Sequence, residues 1–291
     1  MKQIPASLLT LLAGIVITLI SFWVGQHHGL LPEQASEQAP LVDDFFNVMV
    51  TIATALFLLV QGAIVLFIIQ FRRRAGDDTD GVAIEGSVPL EIVWTAIPAI
   101  IVIGLGIYSV DVYERMGGFA PAHGHGMVAH QSTPAMGRGM AMAAPAIAAV
   151  DTVPSLAPST PTAKYGFGAP NAEAGKAADL VVNVTGLQYA WLFNYPDSGV
   201  TAGELHVPLG KAVQLNLSAQ DVIHSFWVPQ FRLKQDALPG LPTELRFVAT
   251  KIGTFPVVCA ELCGGYHGSM RTQLVVHSLE DYEAWLAENR L

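Results

Sequence analysis

Residues 45–74 read FFNVMVTIATALFLLVQGAIVLFIIQFRRR, and they set the architecture of the first half of the chain. No charged side chain occurs between Phe45 and Phe71, and three consecutive arginines follow. A helix of about 20 apolar residues is enough to cross a hydrocarbon core about 30 Å thick. A buried helix of a water-soluble protein is seldom apolar over such a length. The stretch therefore predicts a transmembrane helix.

Two further apolar runs flank this helix in the sequence. Residues 90–110, LEIVWTAIPAIIVIGLGIYSV, are also long enough to span a membrane. Residues 8–24, LLTLLAGIVITLISFWV, are compatible both with an uncleaved anchor and with the core of a signal peptide. The composition agrees, because only 13% of the 291 residues are charged, against about 25% in soluble domains. We expect a transmembrane α-helical hairpin plus an N-terminal apolar segment.

Basic residues indicate how the helices are oriented. Arg72, Arg73 and Arg74 lie between the second and third apolar runs, so this loop is expected on the cytoplasmic side. Lys2 places the N-terminus on the same side if the first run is an anchor. The chain after Val110 is then outside the membrane, whether or not the first run is cleaved.

The segment after the third run has the composition of a linker. Residues 117–175 are rich in Ala, Gly, Pro, Ser and Met and show neither the strand nor the helix period. The segment also contains histidines and methionines, which suit copper, so a copper-gathering tract is an alternative. The composition favours a flexible, low-complexity linker.

The last part of the chain is predicted to be all-β. Short β-rich runs are separated by turn residues: ADLVVNVTG, ELHVPLGKAVQLNLSA, DVIHSFWVP, TELRFVATKIGTFPVVC and RTQLVVH. Such spacing is typical of an antiparallel sandwich or barrel. A short final helix is expected after Ser278 as N-cap, with Asp281 completing a variant capping box. The chain thus divides into four parts: an N-terminal signal or anchor segment (1–40), the hairpin (41–116), the linker (117–175) and the β domain (176–291).

The loop CAELCGGYHGSM, residues 259–270, contains the only two cysteines of the chain. A Cys259–Cys263 disulfide would close a very small loop, would stabilise the fold little, and would leave His267 and Met270 unexplained. A zinc site is a second alternative, but a thioether is a soft ligand more typical of copper. A single-copper electron-transfer site uses two His, one Cys and a weak axial Met.

Copper accounts for the loop when a histidine from elsewhere is added. Cys263, His267 and Met270 supply three ligands of a single-copper site, and His224, at the end of a predicted strand in DVIHSFWVP, is the natural fourth. Cys259 is then one thiolate too many. Since two thiolates can bridge two metals, the simplest solution is a binuclear copper site.

Three motifs of this region, DVIHSFWVP, KQDALPG and CAELCGGYHGSM, resemble cytochrome c oxidase subunit II and its binuclear CuA centre. The resemblance extends over roughly residues 40–115 and 176–291 and leaves out the linker. The first apolar run and the long linker are similar to cyanobacterial members of this family. The resemblance implies that the β domain is a cupredoxin-like sandwich.

The resemblance also implies the ligands of the copper pair. It assigns six residues: Cys259 and Cys263 as bridging thiolates, His224 and His267 as one imidazole for each copper, Met270 as a weak thioether ligand and Glu261 through its backbone carbonyl. In the family the side chain of this same glutamate reaches a magnesium or manganese ion at the border with subunit I. The electron-accepting site would thereby be linked to the heme-bearing subunit.

Four other residues stand at family positions outside the copper site, three as matches and one, Tyr189, as a departure. Glu91, in LEIVWTAIP, resembles an acid at the mouth of a proton path in subunit I, although a carboxylate at a helix start is also a favourable dipole partner. Asp221 resembles an acid near the docking face of the electron donor, and a solvated loop residue is its alternative. In GLQYAWLFNYP, Tyr189 stands where the family has the tryptophan that receives electrons, and Trp191 aligns with a second tryptophan. Electron uptake is therefore expected through Tyr189 and Trp191.

Two departures concern the same surfaces. Leu187 replaces a histidine of the aromatic run, which allows a docking surface suited to a different donor. Leu241, after the PG pair of KQDALPG, stands where many relatives have arginine, which puts the detailed contact with subunit I in question.

The function implied by the resemblance is that of the electron-accepting subunit of a cytochrome c oxidase. Electrons would come from cytochrome c or another small soluble donor on the periplasmic or lumenal side and pass to heme in subunit I, in a complex that also contains subunit III, reduces O₂ to water and pumps protons. The net charge of −9 argues against a nucleic-acid partner. Alternatives are a membrane-tethered cupredoxin electron carrier and the CuA subunit of a nitric oxide reductase. Quinol-oxidase subunits lack the copper ligands, and nitrous oxide reductases carry a propeller domain for which this chain has no room.

Overall fold

Three helices precede the β domain in the computed structural model, which describes residues 5–73, 76, 81, 83, 86–118, 165–167 and 177–290. The helices are α1 (Ala6–His27), α2 (Ala39–Phe71) and α3 (Val88–Arg115). By length and composition, each of them can cross a membrane. The predicted hairpin is confirmed, and the N-terminal apolar run forms a third helix beside it.

Both helices of the hairpin extend beyond the runs that predicted them. α2 begins at Ala39 instead of near Phe45. Pro40 lies in its first turn, where a backbone N–H has no partner within the helix, so a proline can be accommodated without loss of a hydrogen bond. α3 continues past Val110 to Arg115. With 33 residues, α2 is about 50 Å long and exceeds the hydrocarbon core. These extensions lie at the ends of the helices that face the β domain.

α1 packs closely against α2 near its C-terminal end. Gly25 lies so near Thr51 that a side chain at position 25 would collide with the threonine hydroxyl. Ser21 is buried and donates to the Ile17 carbonyl at 2.7 Å, which satisfies its hydroxyl within the helix. Beyond the helix end, His28 hydrogen-bonds the side chain of Asn47 at 2.8 Å. α1 therefore has the contacts of a packed membrane helix.

The β domain is a sandwich of two sheets. The described residues form eleven strands: β1 (Tyr165–Phe167), β2 (Leu180–Leu187), β3 (Ala190–Asn194), β4 (Thr201–Ala202), β5 (Leu205–Pro208), β6 (Ala212–Ala219), β7 (His224–Val228), β8 (Leu233–Ala237), β9 (Thr243–Val248), β10 (Gly253–Cys259) and β11 (Arg271–His277). One sheet has the order β1-β9-β6-β2-β3-β4 and the other β5-β11-β10-β7-β8. The predicted sandwich is confirmed.

The strand directions differ from the purely antiparallel prediction. β2 pairs in parallel with β6, β5 with β11, and β1 with β9. Alternation of apolar and polar residues reveals which face of a strand is buried, but it is the same for both directions. β1 falls within the predicted linker, and the rest of residues 119–176 lie outside the described residues.

The core between the sheets follows the alternation of the strands. In β6, Val213, Leu215 and Leu217 are buried while the residues between them are only half-buried. Across the sandwich, Phe226 of β7 packs edge-on against Phe193 of β3. Phe226 also lies opposite Cys259 in the neighbouring strand β10.

The C-terminal helix α4 (Leu279–Asn289) begins as the sequence predicts. Ser278 Oγ accepts a hydrogen bond from the Asp281 backbone N–H at 3.1 Å and donates to the Asp281 carboxylate at 2.7 Å. Satisfying the free N–H groups of the first turn in this way stabilises a helix by about 1 kcal/mol. The helix therefore starts directly after the last strand and packs on the edge of the sandwich.

α4 packs on a pair of histidines, His206 and His277. His206 Nδ1 of β5 and His277 Nε2 of β11 are 2.8 Å apart, so one nitrogen must donate and the other accept. Trp285 of α4 stacks on His206 with 4.0 Å between the ring centroids. Burial, together with the neighbouring His277, lowers the pKa of His206 to about 4. Burial also lowers the pKa of His277, against the attraction of Asp281.

Acid should destabilise the fold through His206. Because the pKa of His206 is about 4 in the fold and about 6.5 when unfolded, stability is complete above pH 6.5 and is lost as the pH falls toward 4. Near pH 5, His206 alone should add about one proton to those taken up on unfolding. Melting temperatures of the full chain in detergent between pH 4 and 8 measure this dependence. His206→Gln should flatten it, whereas His27→Gln, on the exposed end of α1, should not; equal curves for both variants would contradict the assignment.

Candidate metal centre

Two neighbouring strands and the loop after them carry every predicted copper ligand. β7 begins at His224 and β10 ends at Cys259, which lies opposite Phe226 in the sheet. The loop then returns to β11, and the Cys259 backbone N–H donates to the Met270 carbonyl at 3.1 Å. The expectation that His224 ends a strand is wrong, because the preceding residues form a bend and pairing with β8 starts at His224 itself.

The two thiols face each other without a bond between them. Cys259 Sγ and Cys263 Sγ are 3.9 Å apart, whereas a disulfide measures about 2.05 Å. Both cysteines are free, and their exposed fractions are only 8% and 3%. The disulfide alternative is thus not the state seen, and two sulfur atoms are available to a metal.

Four further donor atoms lie around these sulfurs. They are His224 Nδ1 at 3.8 Å and the Glu261 carbonyl oxygen at 3.3 Å from Cys259 Sγ, and His267 Nδ1 at 3.5 Å and Met270 Sδ at 3.7 Å from Cys263 Sγ. The ligand atoms of His224, Cys259 and Cys263 all lie within 4.8 Å of one another. The structure thus brings together all six residues that the sequence indicated.

This donor set fits copper. Thiolate, thioether and imidazole are the ligands that copper prefers, and a buried thioether has no place in the usual zinc sites. Each sulfur has an imidazole nitrogen and one weaker donor of its own beside it. His224 and Met270 are fully buried, so water is kept from this side of the site. The arrangement suits two metals that share both thiolates.

Burial keeps the thiol of Cys263 protonated. Burial, together with the adjacent Cys259, raises the pKa of Cys263 to about 11. At neutral pH Cys263 is therefore a neutral thiol. Binding of a metal has to displace this proton, so the affinity of the site for metal should increase with pH.

Asp221 orients the first histidine. Its carboxylate lies 2.8 Å from His224 Nε2 and accepts hydrogen bonds from the backbone N–H groups of Gln188 and Val222, both at 2.7 Å. Burial acts to raise the pKa of Asp221, but these hydrogen bonds outweigh it and lower the pKa to about 2. An ionised Asp221 bound to Nε2 leaves Nδ1 of His224 free to face Cys259. The sequence pointed to Asp221 only as a residue of the donor-docking face.

A glycine that sequence reasoning missed makes room for this histidine. A Cβ atom on Gly186 would lie 3.0 Å from the His224 ring and 3.2 Å from the Trp191 ring. Trp191 itself is buried, with its ring edge-on to His224 at 5.9 Å between centroids. Strand β2 can approach the imidazole only without a side chain at position 186, and a lone glycine in a strand was the available signal.

The other predicted aromatic residue covers the loop. Tyr189 is half-buried and packs edge-on against the exposed Tyr266 at 5.5 Å. It lies so close to Gly264, whose φ is +140°, that a side chain there would collide with the Tyr189 hydroxyl. Gln188 Nε2 donates to the Cys263 carbonyl at 2.5 Å. The β2–β3 turn and the metal loop are therefore held together, which sequence reasoning did not foresee.

Two predicted acids lie apart from the donor atoms. The side chain of Glu261 is on an exposed residue, although its carbonyl is part of the cluster. Glu91 lies in the first turn of α3, about 30 Å along the helix from Val112, which packs on the β domain. Glu91 therefore belongs to the opposite end of the membrane hairpin.

Known proteins match the chain over its whole length. The family model for "Cytochrome C oxidase subunit II, transmembrane domain" matches residues 21–112, and that for "Cytochrome C oxidase subunit II, periplasmic domain" matches residues 200–279. Cytochrome c oxidase subunit 2 of Thermostichus vulcanus is 64% identical over 100% of this chain and 88% of its own. The Synechocystis sp. protein of the same name is 48% identical over 99% of this chain and 84% of its own.

A solved structure also matches the β domain. The periplasmic domain of subunit II of cytochrome oxidase from Bradyrhizobium japonicum is 32% identical, over 39% of this chain and 94% of that one, with a TM-score of 0.38. The identity to full-length relatives extends from the first helix to α4. The chain belongs to the cytochrome c oxidase subunit II family.

Proposed function

We propose that this chain receives electrons from a small soluble carrier at a binuclear copper centre and passes them to heme in subunit I of a cytochrome c oxidase. The complete complex reduces O₂ to water and pumps protons, and the part of this chain is electron transfer. One observation carries the proposal: two free, buried thiols converge with two imidazoles and a thioether in a periplasmic domain joined to membrane helices.

Six residues would hold the copper pair: Cys259 and Cys263 through both thiolates, His224 and His267 through Nδ1, Met270 through its thioether and Glu261 through its carbonyl. When bound, such a pair accepts and releases a single electron whose charge is spread over both metals. The donor atoms come from the ends of paired strands and from one loop. Because atoms of the protein would supply all the ligands, we expect no open coordination position for a substrate. A catalytic metal, in contrast, keeps such a position open.

Hydrogen bonds within the chain keep this site rigid. The Ala260 backbone N–H donates to the Ser225 carbonyl at 2.9 Å, and the His267 N–H donates to the Gly264 carbonyl at 3.1 Å. Together with the contact of Gln188 to the loop, these bonds hold the donor atoms in place whatever the charge of the site. Because the donor atoms would move little when an electron is gained or lost, the site suits electron transfer.

Electron uptake is proposed to involve the aromatic residues beside the centre. Tyr189 packs on Tyr266, which is 72% exposed, and Trp191 lies against His224. The exposed ring marks a place where a carrier can approach the loop. Asp221 remains a candidate for the docking face, since about a third of its side chain is exposed beside His224.

Several further roles extend the proposal to the complex. The exposed Glu261 side chain would ligate magnesium or manganese at the border with subunit I, and Glu91 would stand at a proton path on the cytoplasmic side. Subunit III would complete the complex. The division of the chain at residues 40, 116 and 175 belongs to the same proposal.

The alternatives share the copper site and differ in the partner. A tethered carrier would purify without heme, and a nitric oxide reductase subunit would purify with a heme protein that reduces nitric oxide. Family membership over the full chain favours neither. Purification from native membranes by a tag on this chain decides between them. Co-purifying heme, two coppers per chain and oxygen uptake with reduced cytochrome c would support the oxidase; a heme-free product with copper would contradict it.

Replacing Cys259 by Ser should abolish the binuclear signature. With one bridging thiolate gone, copper should fall from two to at most one per chain, and the EPR hyperfine pattern of an electron shared equally by two copper nuclei should disappear. Ser269→Ala, on an exposed residue of the same loop, is the control and should keep both. An unchanged EPR spectrum in Cys259→Ser would contradict the assignment of Cys259 as a bridging ligand.

Replacing Met270 by Leu should retain the copper and change its potential. The two side chains are similar in volume, so the swap should cost less than about 1.5 kcal/mol of stability. Loss of a thioether donor removes stabilisation of the oxidised state, so the potential should rise, as expected for axial ligands. Potentiometric titration measures this. Met116→Leu, at a buried methionine after α3, is the matched control; equal potentials in the two variants would exclude Met270 as a ligand.

A further inference from the structure

A short segment between α1 and α2 lies against the β domain instead of the membrane helices. We call residues 32–38 the strap. Its backbone bonds to three places of the domain: Ala35 N–H to the Gln230 carbonyl at 3.0 Å, Glu37 N–H to the Val248 carbonyl at 3.1 Å, and the Thr250 N–H to the Ala35 carbonyl at 3.0 Å. Ser36 is buried and donates to the Phe231 carbonyl at 2.8 Å. The strap thus joins the helices to the sandwich.

A buried ion pair accompanies the strap. Arg232 Nε and Nη2 contact the two carboxylate oxygens of Asp43, at 2.7 and 3.0 Å, and the side chains are only 6% and 10% exposed. The remaining Arg232 donors bond the carbonyls of Pro229 and Pro32, both at 2.6 Å, and Gln34 donates to Asp43 at 2.8 Å. A buried pair with these additional hydrogen bonds meets the conditions under which the attraction offsets desolvation.

The ion pair is mechanically connected to the metal centre. Asp43 belongs to the outer end of α2, and Arg232 follows the 3-10 turn that ends β7. β7 begins at His224, the proposed ligand, and is five residues, about 17 Å, long. It is flanked by β10 and β8, so it moves only with the sheet. Arg232 adopts a left-handed conformation, with φ of 59°, that turns its side chain toward the helix.

Other contacts between the hairpin and the domain are less directional. Val112 and Met116 at the end of α3 pack into the apolar core. Apolar contacts are not directional, so they allow many relative positions of the helix and the domain. Glu33 pairs with Lys251, but both side chains are more than half exposed, so water and salt weaken the pair. A two-point, buried arginine–carboxylate contact fixes both distance and orientation.

We propose that the Asp43–Arg232 pair fixes the position of the metal centre over the membrane hairpin, so that both are positioning residues for electron transfer to the membrane partner. This inference rests on the proposed function for the transfer step. The ion pair itself, which we call the clamp, involves only contacts within this chain.

The test compares Asp43→Asn with Asp44→Asn in the complete complex. Asp44 is the adjacent acid of α2, and it is exposed. In Asp43→Asn, hydrogen exchange at the amides of Ala35, Glu37 and Thr250 should accelerate on the order of a hundredfold, because removing one partner leaves a buried charge uncompensated. Copper content, the EPR signal and reduction by the donor should stay as in the wild type, while electron transfer onward to heme should slow. Asp44→Asn should change none of these.

The outcomes separate positioning from stability. Faster exchange with unchanged transfer to heme at full copper content would mean that the pair serves the fold only, and the positioning role would be overturned. If Asp43→Asn does not assemble, Arg232→Lys keeps the charge but loses the two-point contact and should slow transfer; wild-type transfer would again overturn the proposal. If the wild type holds no copper pair, the proposed function fails, whereas equal exchange in the two Asn variants would overturn the clamp independently.

Discussion

The pairing of β7 with β10 is the contact on which the metal centre depends. Neighbouring strands in a sheet lie about 4.8 Å apart, so residues at adjacent strand ends bring their side chains within reach of a shared ligand. His224 starts one strand and Cys259 ends the other, while the loop after Cys259 returns within eleven residues to join β11. Its closure by the Cys259–Met270 backbone bond places Cys263 and His267 over the same point.

Hydrogen bonds from the surrounding residues hold the donor atoms of the metal centre in place. Asp221 accepts three hydrogen bonds and holds the His224 ring, and Gln188 joins the β2–β3 turn to the carbonyl of Cys263. Two glycines, Gly186 and Gly264, let neighbouring segments approach more closely than any side chain would permit. Burial raises the pKa of Cys263 to about 11, so at neutral pH this buried thiol carries no negative charge. Binding of a metal has to displace the proton of Cys263.

The membrane hairpin and the β domain meet in two kinds of contact. The outer ends of α2 and α3 exceed the hydrocarbon core and supply apolar residues such as Met116 to the domain core. The strap adds backbone hydrogen bonds and the buried Asp43–Arg232 pair. Apolar burial favours contact in general, whereas hydrogen bonds and ion pairs select one geometry. For an electron relay, whose partner is anchored in the membrane, a single geometry is the property that matters.

Local patterns in the chain were sufficient for several features. The length of the apolar runs predicted the helices, and the short β-rich runs separated by turn residues predicted the sandwich. The spacing of Cys259, Cys263, His267 and Met270 predicted a soft-metal loop. These succeed because each depends on residues close together in sequence. These runs left strand direction open. They also suggested that a strand ends at His224, whereas β7 begins there and continues through the aromatic residues that follow.

Contacts between distant segments decided the rest. The bond of Gln188 to the Cys263 carbonyl, the approach of Gly186 to the His224 imidazole and the ion pair between Asp43 and Arg232 join residues that lie far apart in the sequence. In the sequence, Asp43 and Asp44 are adjacent acids, and nothing in their neighbourhood distinguishes one from the other. Only the folded chain, which buries one of the two against an arginine nearly two hundred residues away, makes them different.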